Sequence, residues 1–168
     1  MKIELPKRKQ NRLSEFDYGQ PGCYFITLCT FHRADLFQMA RSEEAVASGR
    51  LDSPANQIIH KWIRETGKKF FNLSIDKYMI MADHLHLLVT IKERRSGCSL
   101  PDMMRYFKTM TTNEYIRGVR AGSLPAFDQK LWQKSYYDHV IRNQLDYNEI
   151  WEYIENNPLK WEIIHNGV

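Results

Sequence analysis

Residues 75–91, IDKYMIMADHLHLLVTI, narrow the possible folds more than any other stretch of the chain. Two apolar runs, 78–81 and 85–89, flank the dipeptide Ala82-Asp83. A short polar break between apolar runs is the pattern of a tight turn joining antiparallel strands. Alternate side chains of a strand share a face, so His84 and His86 are expected side by side, with Leu85 turned away. Two imidazoles fixed on rigid backbone and opening onto one surface can begin a metal site. The same pair also reads as two ordinary histidines on a sheet face, one packed and hydrogen-bonded.

The segments around this hairpin are expected to supply more strands and the helices to cover them. Residues 23–31, CYFITLCTF, are aromatic and β-branched on both faces, as in a central or helix-covered strand. His32 beside Arg33 reads as a surface histidine, and Leu36-Phe37 as a short edge segment. Ser53-Pro54 caps and opens a helix whose buried stripe is Ile58, Ile59, Trp62 and Ile63. Gly67 is expected to end it or weaken its last turn, and His60, off the stripe, to be exposed. Residues 71–80 form the next strand. Ser99 and Asp102 make a capping box for a helix that buries Met103, Phe107, Met110 and Tyr115. Arg105 and Lys108 stand near its other side, either as a solvated face or facing phosphates.

The last third is dense in aromatics. Trp132, Tyr136 and Tyr137, beside Lys130, Lys134 and Arg142, either stack bases or fill a core. His139 reads as structural, paired with Asp138. A final helix is expected from Gln144 to Asn157, closed by Pro158, with Leu145, Ile150 and Ile154 on its apolar side. Tyr153 and Asn157 are one turn apart on a single face of it.

At 168 residues the chain fits one domain, residues 21–168, behind a basic arm of residues 1–20. The first fourteen residues carry a net +4. Lys7, Arg8 and Lys9 either form a solvated tail or touch phosphates without reading sequence. Three scattered cysteines, with no CxxC pair, argue against a disulfide framework. No apolar run is long enough to span a membrane, and the start lacks the apolar segment of a signal peptide. A cytoplasmic protein is the expectation, with no membrane partner.

Four segments resemble one family. His84-Leu85-His86, inside MIMADHLHLLV, resembles the HUH motif of histidine, bulky hydrophobe, histidine. The run YYDHVIRNQLDYNEIWEYIENNPLKW resembles the C-terminal signature of the REP-associated tyrosine transposases, relatives of the single-tyrosine transposases of the insertion sequence 200 type. CYFITLCTFHRADLF and FKTMTTNEY are similar to their counterparts there, and the likeness covers about residues 22–161. It implies an α/β, ferredoxin-like or RRM-like domain: a central antiparallel sheet, helices packed on it, and a C-terminal helix carrying the catalytic tyrosine. By motif match His84 and His86 are metal ligands, Asn157 a third polar ligand and Tyr153 the nucleophile. Met81-Ala82-Asp83 stands where the family usually has methionine-proline-asparagine, so Asp83 could orient a histidine or approach the metal.

The chemistry implied is cleavage and rejoining of single-stranded DNA, at or near a hairpin, through a 5′-phosphotyrosine. Imidazole with oxygen suits Mn²⁺ or Zn²⁺, whereas the family implies Mg²⁺ or Mn²⁺. Of the tyrosines in the last third, Tyr147 is six residues from Tyr153, a net rotation of roughly 240° on a helix, so the two face different ways. Trp132, Tyr136 and Tyr137 would stack bases, and Arg94, Arg95, Arg105, Lys108 and the arm would contact phosphates. The family includes monomers and homodimers. Two rivals remain from the residues alone: a non-catalytic binder of single strands or hairpins, and a metal-dependent phosphodiesterase that uses water.

Overall fold

The computed structural model describes residues 16–38, 40–41 and 53–166, with side chains through 156 except at 40 and 41. Its strands are β1 (Gly22–Cys29), β2 (Ala40–Arg41), β3 (Leu73–Ile80), β4 (His84–Ile91) and β5 (Tyr137–Ile141). Its helices are α1 (Pro54–Lys69), α2 (Leu100–Arg120) and α3 (Gln144–Asn166). The strands form one antiparallel sheet in the order β2-β3-β4-β1-β5. β4 fills the gap left by the β1-α1-β3 crossover, and β1 fills the gap left by β4-α2-β5. These two interleaved split βαβ units are the ferredoxin-like arrangement, as the sequence led us to expect.

The predicted hairpin is present. Met81 N–H bonds to the His84 carbonyl at 2.8 Å, enclosing Ala82-Asp83. Leu85, Leu87, Val89 and Ile91 turn to one face of the sheet, where Tyr24, Ile26 and Leu28 of β1 join them beneath α1 and α2. The capping residues do what their spacing predicts. Ser53 accepts from Asn56 N–H, and Ser99 and Asp102 form the reciprocal box. His84, His86 and Leu88 turn to the opposite face, with Phe25, Thr27 and Cys29 paired beside them.

α3 packs on that second face through a smaller cluster. Ile154 is fully buried against Met79, Met81 and Leu88, with Tyr147 and Ile150 at its edge. An irregularity in β3 between Ile75 and Lys77 lets Ile75 pack into the larger core while Lys77 points to the α3 side. There the Lys77 ammonium pairs with Glu155 and lies 4.0 Å from the Trp151 ring centroid.

Several expectations need correction. α1 runs through Gly67 to Lys69, so Gly67 lies in its last turn and does not end it. His60 is buried, because its Nδ1 shares a 2.6 Å hydrogen bond with the Tyr78 hydroxyl. The edge strand is β2; Leu36 and Phe37 instead donate their N–H groups to the Ala82 carbonyl. β3 starts at Leu73. α3 continues beyond Pro158, so the loss of one backbone hydrogen bond there does not end it. Leu145 is exposed, and the buried stripe of α3 runs through Tyr147, Ile150 and Ile154. His139 bonds to Asp146 of α3 rather than to Asp138. Phe16 and Tyr18 pack on Tyr24, so the packed domain includes residues before 21. Lys7, Arg8 and Lys9 lie outside the described residues. Among the described residues no helix is long and apolar enough to cross a membrane.

Candidate active site

β4 and α3 bring His84, His86 and Tyr153 together. The Nε2 atoms of His84 and His86 are 3.2 Å apart. Tyr153, two-fifths exposed, packs edge-on against the His86 ring with centroids 5.5 Å apart. Phe25 stacks on His86 at 5.2 Å and meets Tyr153 edge-on at 5.9 Å. The phenol ring is thus seated by two rings of the sheet. Asn157 lies one helical turn beyond Tyr153; its side chain is outside the described residues. Tyr147 belongs to the Met79–Leu88 cluster and stacks on Trp151.

Both imidazoles are held from behind. His84 Nδ1 meets the Asp83 carboxylate at 2.5 Å. A carboxylate only accepts, so the proton sits on Nδ1 and Nε2 keeps its lone pair. His86 Nδ1 meets the Thr27 hydroxyl at 3.0 Å, across the β1–β4 pair that sets Thr27 opposite His86. Burial, the dominant cause, pushes His84 down against the opposing pull of Asp83. Burial first, then the neighbouring His84 and Arg33, brings His86 down to about 3. Both rings are therefore neutral near pH 7, the form that binds metal.

The Nε2–Nε2 contact has two chemical meanings. One nitrogen donates a proton to the other, or both lone pairs face a shared cation. The Thr27 hydroxyl sets the choice: donating to His86 Nδ1 it leaves the His86 proton on Nε2 to bond His84, and accepting from Nδ1 it leaves both Nε2 lone pairs for a cation. Two nitrogens at about 2.0–2.1 Å from one ion stand some 3.2 Å apart when they subtend roughly 100°. The separation of the pair is thus compatible with both nitrogens binding one divalent ion. Among the described residues no group of three or more His, Cys, Asp or Glu side chains could hold a metal. Asn157, water and substrate are the further ligands that the family resemblance points to.

The family described as Transposase IS200 like matches residues 24–157. The chain belongs to the IS200-like transposases. An uncharacterised protein of Haemophilus influenzae is 32% identical over 92% of this chain and 90% of its own. A second protein of that species, provisionally named a REP-associated tyrosine transposase, is 27% identical over 48% of this chain and 47% of its own. A solved REP-associated tyrosine transposase, bound to a REP hairpin, has the same fold. Its TM-score is 0.57 at 19% identity, over 88% of this chain and 74% of that one.

The residues of this transposase expected to meet DNA fare unequally. Trp132 is buried, stacked on Phe37 and donating its indole N–H to Thr111 at 2.9 Å. Tyr136 is buried in the same core. Neither ring face is open to a base, because the aromatic run closes the core where Trp132 pairs with Thr30. Tyr137 is exposed. Lys108 donates to the carbonyls of Gln133 and Lys134, tying α2 to the following loop rather than offering its charge outward. Arg105 pairs with Asp102. Arg94 pairs with Asp17, and Arg95 with Glu93 while lying over Phe71. These two follow the far end of β4, about 23 Å from His84 at ~3.3 Å per residue.

Sequence reading missed Thr27, Phe25 and Arg33. The first two were legible in principle, since strand alternation puts them on one face of β1. Arg33 was not, because its place depends on how residues 30–37 fold over the hairpin tip. Asp83 was flagged, and it turns one carboxylate oxygen to His84 and the other to Arg33.

Proposed function

We propose that this transposase cuts and rejoins single-stranded DNA beside a hairpin, with Tyr153 as nucleophile and a divalent cation, Mg²⁺ or Mn²⁺, on His84, His86 and Asn157. The observation that carries this reading is the seating of the Tyr153 ring against His86, whose Nε2 is 3.2 Å from that of His84. When bound, the cation would polarise a phosphate oxygen and offset charge as the phosphorus is attacked.

The chain's own residues do the rest. Asp83 and Thr27 fix the two imidazoles, and Phe25 limits where the phenol can swing. The Tyr153 oxygen bonds to phosphorus as the bond to the 3′-oxygen breaks. The phenol gives up one proton and the departing oxygen takes one. A 5′-phosphotyrosine and a free 3′-hydroxyl result, and attack by that hydroxyl reverses the step without outside energy. Tyr153 meets the histidine pair within a single chain, which supports action by a monomer. The REP hairpin bound by the structural relative supports hairpin DNA as the substrate class.

The test is a denaturation-resistant adduct. Wild-type protein with Mn²⁺ and a hairpin with single-stranded tails, labelled at the 3′ end, should give a labelled protein band. Tyr153→Phe should bind the DNA and give none, and His84→Ala with His86→Ala should abolish cutting. A cut product without adduct would favour the water-using phosphodiesterase; neither product nor adduct would favour the binder. An adduct that persists in Y153F, or maps to Tyr147, would overturn the assignment.

A further inference from the structure

Arg33 sits beside the histidine pair and has no part in the chemistry above. The chain reaches it through two consecutive left-handed residues, His32 (φ 55°) and Arg33 (φ 57°), neither a glycine. Such backbone is uncommon for non-glycine residues and persists only where surroundings enforce it. Here Thr30 enforces it. Its N–H and hydroxyl both bond to the Asp83 carbonyl at 2.9 Å, and the hydroxyl also reaches the Ala34 carbonyl. The turn is thereby fastened to the tip of the histidine hairpin. It aims the guanidinium so that Nε meets Asp83 at 2.7 Å and Nη1 meets the Cys29 sulfur at 2.8 Å. Cys29 lies opposite His84 in the sheet.

The side chain is nevertheless half exposed. Among the described residues, two of its five N–H donors meet a partner and set its direction, which leaves the others for a ligand. The Asp83 carboxylate, with both oxygens engaged, is spent on orienting His84 and Arg33 together. A planar, always-charged fork held this way is suited to a phosphate.

We infer that Arg33 binds a phosphodiester of the single strand next to the histidine pair, with Asp83 as the residue that positions it. This rests on the proposal that DNA is cut at this site. It adds a specific contact there, in contrast to Arg94 and Arg95, which lie at the other end of β4.

The experiment uses full-length protein in EDTA, where no cutting occurs, and a hairpin oligonucleotide with single-stranded thymidine tails. Affinity is measured across a range of NaCl concentrations. Arg33→Gln should weaken binding about tenfold and make the slope of log K against log salt shallower by about 0.7, the value of one single-strand phosphate contact. Arg33→Lys should keep the slope. Wild-type affinity and slope in R33Q, or weaker binding at an unchanged slope, would overturn the inference. A second measurement needs no variant. Phenylglyoxal modification of Arg33 in wild-type protein, mapped by mass spectrometry, should slow when the oligonucleotide is bound, while that of Arg120 does not. Equal rates with and without DNA would overturn the inference. Arg33 protection with no Mn²⁺-dependent adduct would sink the cutting reaction and leave this contact standing.

Discussion

Strands β1 and β4 present one kind of side chain to α1 and α2 and another to α3. Toward the two helices they turn Tyr24, Ile26, Leu28, Leu85, Leu87 and Val89, each at most 1% exposed. Toward α3 they turn Phe25, Thr27, Cys29, His84, His86 and Leu88. The apolar cluster there shrinks to Met79, Met81, Leu88 and Ile154, with a few half-buried neighbours. The period of two in a strand makes this division possible. One face carries enough apolar burial to hold the domain, so the other can keep two neutral imidazoles and a tyrosine in place. α3 is the less firmly held element, and it carries Tyr153.

The largest expected effect separates the faces by substitution. Leu87→Ala should cost about 2–5 kcal/mol of global stability, from lost burial and the cavity left behind. Ile154→Ala should fall at the low end, about 2 kcal/mol. It should appear mainly as faster hydrogen exchange in α3, with β4 amides unchanged. Equal acceleration in β4 would show that the two faces unfold as one unit.

A smaller effect concerns the Lys77–Glu155 pair. Removing one partner of an ion pair costs most when the charge left behind is the buried one, whereas an apolar replacement of similar shape for that buried charge can be nearly neutral. The Lys77 side chain is 10% exposed and that of Glu155 is 44%, so removing Glu155 weakens the compensation of the more buried of the two charges. Glu155→Ala should therefore destabilise the α3 docking more than Lys77→Met, as read by urea unfolding and α3 exchange. The reverse order would mean that the pair does not anchor the helix.

A separate effect is a pH dependence on the α3 face. Unfolded His86 takes a proton near 6.5, but folded His86 not until about 3. Between these values the unfolded state binds more protons, so the metal-free protein loses stability as pH falls through that window. His86→Phe should flatten the stability curve there. An unchanged curve would show that His86 is not a buried neutral imidazole.

Much of this was legible in the sequence where the determinants are local. The alternation of His84 and His86, the two-residue turn, and the caps at Ser53 and Ser99 each follow from a few neighbouring residues. What escaped depends on distant partners. His60 lies off the apolar stripe of α1 yet is buried by the Tyr78 hydroxyl. Trp132 and Tyr136 suited base stacking by composition, but Phe37 and Thr111, far away in the chain, draw Trp132 inward. The docking of α3 through Ile154 and Glu155 could not be read from the helix alone, and without it Tyr153 is one exposed tyrosine among several. The Arg33 turn was hidden for the same reason.

The central claim is that one chain assembles His84, His86 and Tyr153 into a single metal-dependent site. It is tested most directly by a crystal structure with Mn²⁺ soaked in and located by anomalous scattering. The account predicts one ion bonded to Nε2 of both His84 and His86, with the Tyr153 hydroxyl nearer to it than any other phenol of the chain. An ion bound elsewhere, or Tyr147 lying nearer than Tyr153, would contradict it.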